Sequence, residues 1–85
     1  MKTVFTRAAE KSLMKLRADQ RKRILSRIEA IAADPTSRAL DVRPLAGSDL
    51  FRLRVGDHRV LFSLDMTGGE LTVELIRTRG DIYKR

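Results

Sequence analysis

The side chains best placed to do chemistry are Arg52, Arg54 and Arg59, in the stretch LFRLRVGDHRVLF from Leu50 to Phe62. Two runs rich in Val, Leu and Phe flank Gly56-Asp57, a two-residue connection whose first member tolerates positive φ, which predicts a tight β-hairpin. That loop sets Val55 opposite His58, Leu53 opposite Val60 and Phe51 opposite Phe62. Alternation along a strand puts these three pairs on one face, the core face. The other face then carries Arg52 opposite Leu61, and Arg54 directly opposite Arg59. Like charges facing each other across a hairpin are destabilising by a few tenths of a kcal/mol or more. An anion between them reverses the sign. Arginine rather than lysine at all three positions points to phosphate, whose oxygens a planar fork can grip. The plainer alternative is a solvated basic face whose long stems cover apolar surface.

The elements that would position these groups follow from the rest of the chain. Lys2 to Thr6 is β-prone and predicts an opening strand. Thr6 is a candidate N-cap for a helix over Arg7 to Leu16, where Ala9, Leu13 and Leu16 form one stripe. Asp19 reads as the cap of a second helix, with Ile24, Leu25, Ile28, Ile31 and Ala32 on its buried side and Asp34-Pro35 at its end. Arg21, Lys22, Arg23 and Arg27 crowd the positive end of that helix, an arrangement the macrodipole disfavours without an external anion, although a solvated basic helix is the plainer explanation. Thr36 to Asp49 reads as a polar connection. After the hairpin, a turn from Asp65 to Glu70 leads to a strand over Leu71 to Ile76, with Leu71, Val73 and Leu75 on the core face. Pairing Leu64 with Leu71 sets Val60 against Leu75 and leaves Arg59 beside Ile76. The order β-α-α-β-β-β predicts an α+β fold, a helical hairpin on one face of a small, mainly antiparallel sheet. The arginine face stays open, and the partner of the first strand is not fixed.

Eighty-five residues predict a single domain spanning 1–85. With no cysteine and one histidine, thiolate and His-based metal sites are excluded, and no cofactor is expected. The 18 Lys and Arg, thirteen of them Arg, against 11 Asp and Glu give a net charge of +7 and point to nucleic acid or an acidic protein. A membrane is the weakest partner, because no apolar run approaches the roughly 20 residues that span one. The first residues lack a signal peptide's apolar core, so cytoplasm is the expected location.

Together these residues carry a resemblance. A β-α-α-β-β-β chain of this size, with Arg52-x-Arg54, the Gly56-x-x-Arg59 turn and Arg79-x-x-x-Tyr83 in a terminal RTRGDIY, resembles toxins of the RelE/ParE superfamily over nearly its whole length. The resemblance implies a type II toxin–antitoxin pair and, on the RelE side, a metal-free nuclease that cuts mRNA in the ribosomal A site. There the RNA's 2′-OH attacks the adjacent phosphate, leaving a 2′,3′-cyclic phosphate and a 5′-OH. The implied catalytic set is Arg52, Arg54, Arg59, Arg79 and Tyr83, and the implied partners are the ribosome, mRNA and an antitoxin with an acidic amphipathic segment.

The chemistry suits guanidinium groups, which stabilise negative charge where it develops on phosphate oxygens. Arg79 could serve the leaving oxygen, and Tyr83 could stack on a splayed base or else pin the tail to the body. Residues 79–85 hold one strong apolar anchor, Ile82, so order in the tail is expected on RNA. The departure from the RelE pattern concerns the base. Arginine keeps its proton, Thr78 stands beside Arg79, and His58 falls on the core side of the hairpin. Asp57, Asp81 and the Tyr83 hydroxyl are the open choices for proton acceptor. Two other readings stand beside the nuclease: a ParE-like inhibitor of DNA gyrase, and a basic binding module without turnover.

Overall fold

The computed structural model describes residues 1–36 and 41–78. Its elements run β1 (Lys2–Phe5), α1 (Arg7–Met14), α2 (Ala18–Ala33), β2 (Val42–Pro44), β3 (Phe51–Val55), β4 (His58–Asp65) and β5 (Glu70–Thr78). The five strands form one sheet in the order β1-β5-β4-β3-β2. β1 lies parallel to β5 and every other pairing is antiparallel. The α+β class and the helical hairpin on one face match the sequence reading. Among the described residues no helix is long and apolar enough to cross a membrane.

The core forms where the helical stripes meet the inward face of the sheet. Ala9 and Leu13 of α1, and Ile24, Ile28, Ile31 and Ala32 of α2, pack with Leu53, Val55, Val60, Phe62, Leu71, Val73 and Ile76. The Phe51 and Phe62 rings stack across β3 and β4 with centroids 5.6 Å apart. The hairpin register is the one the sequence predicts, from Phe51 opposite Phe62 through Arg54 opposite Arg59 to Val55 opposite His58. Gly56 supplies φ +59 at the first turn position, a conformation costly for residues with a Cβ.

Local details depart from the sequence reading at several points. Helix α1 ends at Met14, a half-turn before Leu16. Thr6 does cap it, accepting from the Ala9 N–H, but the cap of α2 is Arg17 rather than Asp19. Asp19 lies instead in the first turn, where Arg17 donates to both carboxylate oxygens at 3.3 and 3.2 Å. That hydrogen bond holds the Asp19 carboxyl below the usual carboxylate range. Arg21 is not waiting for an external anion. Its guanidinium donates to the carbonyls of Leu13 and Leu16, closing the C-terminal end of α1 with a cation.

Two departures reshape the sheet. Within the polar connection, Val42–Pro44 pairs with β3 as a short edge strand, a place where Pro44 needs no ladder donor. In β5 the ladder to β4 slips between Leu61 and Phe62, so that Phe62 pairs with Val73 but Leu61 pairs with Leu75. Glu74 is thus an extra residue, a β-bulge. Its carbonyl accepts a 2.7 Å hydrogen bond from the Thr6 hydroxyl, so the group that caps α1 also satisfies the bulge. Beyond it Val60 faces Ile76, not Leu75, and Arg59 faces Arg77, not Ile76. The physical reason is burial. Unbroken alternation would turn Arg77 into the core and Ile76 out of it, whereas the bulge leaves Ile76 buried at 3 % exposure and Arg77 exposed.

Candidate anion-binding face of the sheet

The outward face collects arginines from four strands. Arg43 of β2 pairs with Arg52 of β3, which pairs with Leu61. One step toward the hairpin turn, Arg54, Arg59 and Arg77 stand in register across β3, β4 and β5. Three guanidinium stems therefore rise from a row about 10 Å long, two inter-strand spacings. The sequence reading brought Arg52, Arg54 and Arg59 together on this face, and the structure does the same. It missed Arg77, which only the bulge delivers. The apolar doublet Leu75-Ile76 directly before a charge, where alternation fails, is the signal that could have found it.

The electrostatics of the two ends differ. Asp41, just before β2, stands among the arginines at the β2 end. Its carboxylate lies 3.7 Å from the Arg52 guanidinium and 3.9 Å from the Nε atoms of Arg43 and Arg54. The Asp41 carbonyl accepts the Arg54 N–H at 3.0 Å, which anchors the residue there. So an internal anion offsets part of the charge that the sequence reading left for an external one. At the other end, among the described residues, neither Arg59 nor Arg77 meets a carboxylate. Arg52 is more enclosed than Arg43 and Arg54, with its side chain 18 % exposed and its Nε buried without a hydrogen-bond partner among the described residues.

His58 lies on the opposite face, as alternation predicts. It is buried, and its Nδ1 has no hydrogen-bond partner among the described residues. Asp57 is exposed in the hairpin turn. Arg79, Asp81, Tyr83 and the expected ordering of the tail all lie outside the described residues. The last described strand ends with Thr78 opposite His58, beside the Arg54–Arg59–Arg77 row.

Such a face can hold and neutralise a phosphate or a run of them. Guanidinium donors arranged in advance stabilise charge with little reorganisation. They offer no proton acceptor.

Comparison with known proteins gives the chain a family context. Among solved structures, the toxin–antitoxin complex of archaeal RelE and RelB from Pyrococcus horikoshii OT3 contains a chain 26 % identical, with a TM-score of 0.81, covering 93 % of this chain and 94 % of that one. A YoeB/ParE toxin from Agrobacterium tumefaciens shares the fold at 21 % identity and a TM-score of 0.79, covering 92 % and 98 % of the two chains. The intact RelBE complex of E. coli gives 16 % and 0.76, with 91 % and 94 % covered. No curated protein sequence matches the chain. The family model described as the ParE toxin of type II toxin–antitoxin systems matches residues 3–83, almost the full length, and the chain therefore belongs to that toxin family, within the RelE/ParE superfamily.

Proposed function

We propose that this toxin is a ribosome-dependent, metal-independent endoribonuclease of the RelE type, acting in the cytoplasm on mRNA in the A site. The observation that carries the reading is the Arg54–Arg59–Arg77 row, in which Arg59 is half-buried, Arg77 is exposed, and neither meets a carboxylate among the described residues. Three aligned cations are unfavourable in the free protein and favourable once a phosphodiester lies across them. In the reaction the 2′-OH gives up its proton and forms a bond to the neighbouring phosphorus, the P–O5′ bond breaks, O5′ takes up a proton, and a 2′,3′-cyclic phosphate and a 5′-OH result. Arg54, Arg59 and Arg77 stabilise the charge gathering on the phosphate oxygens, and Arg52 adds its positive charge from the next outward position of β3. Arg79 serves the leaving oxygen and Tyr83 stacks on a base, worth roughly 1–3 kcal/mol. An antitoxin with an acidic amphipathic segment covers the same face or displaces the C-terminal tail in the resting pair.

Two observations favour a second reading. The matching family model is described by ParE, and the arginine row lacks a proton acceptor of its own. That combination fits a gyrase inhibitor of the ParE type, which cuts no RNA. Purified protein with programmed ribosomes decides between them. The nuclease reading expects a discrete mRNA cut with a cyclic phosphate on its 3′ end, and gyrase supercoiling untouched by the same preparation. Intact mRNA with inhibited supercoiling overturns it in favour of the ParE reading. Intact mRNA with active gyrase leaves only a binding role.

A further inference from the structure

We infer that Asp41 is a specificity-determining residue of the arginine face: its carboxylate closes the β2 end to phosphate and confines a polyanion to the Arg54–Arg59–Arg77 row. The inference rests on the reading of this face as an anion site. The distances from Asp41 to its three arginines, 3.7 to 3.9 Å, are those of charge attraction without hydrogen bonding. The donors of Arg43, Arg52 and Arg54 are thus attracted to the carboxylate but not satisfied by it. Arg52 shows this most plainly, because its Nε is buried and has no partner among the described residues. The β2 end is built as a competent anion site, and the protein's own carboxylate stands in it.

Asp41 cannot drift away easily. Its carbonyl is tied to the Arg54 N–H, in the chain segment that leads into an edge strand paired through Val42 and Leu53. A phosphate seated beside Arg52 would meet a like charge about 4 Å away, which in water-like surroundings weakens binding about five-fold. Among the described residues no carboxylate imposes such a penalty at Arg59 and Arg77. The face therefore reads a phosphate chain in one direction, across the strands next to the hairpin turn, and refuses it along β2 and β3.

The test compares wild type, Asp41→Asn and Asp41→Glu, each checked by thermal melting, using a 2′-O-methyl RNA oligomer that cannot be cleaved. Removing the charge should tighten binding about five-fold. It should also steepen the dependence of log affinity on log salt by about 0.7, the slope of one further phosphate on a single strand. Asp41→Glu should keep the wild-type slope. Inorganic pyrophosphate, followed through the Nε–H signals of Arg52 and Arg54, should show the same gain with Asp41→Asn. Unchanged or weaker binding by folded Asp41→Asn overturns the inference and makes Asp41 a residue that only positions the guanidiniums. Absence of binding by all three proteins overturns it as well. The nuclease reading is judged by cleavage on ribosomes and this one by binding of an uncleavable ligand, so each can fail alone.

Discussion

The two faces of the β3–β4 hairpin differ by one residue along the chain and by opposite physical logic. Leu53 and Val60 face each other with no exposure, and Phe51 stacks on Phe62. One position on, Arg54 faces Arg59, a pair that costs a few tenths of a kcal/mol or more on its own. Fully burying a Val, Leu or Phe contributes roughly 1.5–3 kcal/mol each. The inner face thus outweighs the outer by an order of magnitude, which lets the outer face keep an arrangement that no stability argument would select. Alternation separates stability from function almost residue by residue.

The largest expected effect breaks the inner face. Phe62 is 1 % exposed at the centre of the sheet. Phe62→Ala should cost about 3–5 kcal/mol, through lost transfer energy and the cavity left behind. Denaturant unfolding measures it, and a loss under about 1 kcal/mol would mean that the ring is not central to the core.

The next prediction acts one residue away in logic and should leave stability nearly untouched. Arg59→Ala removes the middle cation of the row, which touches no carboxylate among the described residues. Cleavage should fall about 10²-fold or more, while unfolding free energy moves by no more than about 0.5 kcal/mol. Arg77→Ala should follow the same pattern, since the bulge gives it the same station. Full toxicity from folded Arg59→Ala would remove the row from the mechanism, and a large stability loss would erase the contrast between the faces.

Legibility in the sequence followed this contrast. The hairpin was readable to the residue because a two-residue Gly-Asp turn fixes register and the alternation around it is unbroken. The same rule failed in β5, where it put Leu75 inside. A bulge inserts a residue without changing composition, and only the Leu75-Ile76-Arg77 sequence betrays the phase change. β2 escaped notice because three residues containing Pro44 give no strand periodicity, and with it went Asp41. In α2, Lys22, Arg23 and Arg27 are exposed, as a solvated basic helix requires, and Arg21 departs from that face for a different reason. Arg21 reaches back to carbonyls of the preceding helix, a tertiary contact that the macrodipole of its own helix cannot reveal.

The bulge ties the two faces together, and Thr6 tests that link. Its hydroxyl accepts from the Ala9 N–H at 3.1 Å and donates to the Glu74 carbonyl at 2.7 Å. Thr6→Ala removes the cap and leaves the bulge carbonyl unsatisfied, for about 1–2 kcal/mol. Thr6→Ser keeps both bonds and should recover most of the loss. Equal loss in the two variants would assign the effect to the methyl group and not to the hydroxyl.

The smallest effect contrasts two meetings of arginine with aspartate. At Asp41 the guanidiniums stay 3.7 to 3.9 Å away, whereas Arg17 donates to Asp19 at 3.2 and 3.3 Å, fully in solvent. The Asp19 carboxyl is held below its ordinary value of 3.8, first by that hydrogen bond and further by the charge on Arg17. Since the folded value lies below the unfolded one, the unfolded chain binds more protons in the acid range. The stabilisation is therefore complete above the unfolded value and is lost as pH falls through the lowered folded one. Both partners are exposed, so the contribution is small and weakens with salt. Asp19→Asn should lower the melting temperature slightly at neutral pH in low salt, and the gap to wild type should close below about pH 4, where protonation costs the wild type the same interaction. Parallel melting curves from pH 7 to 3 make the comparison. A gap that persists at the acid end would mean that Asp19 acts through helix geometry and not through its charge.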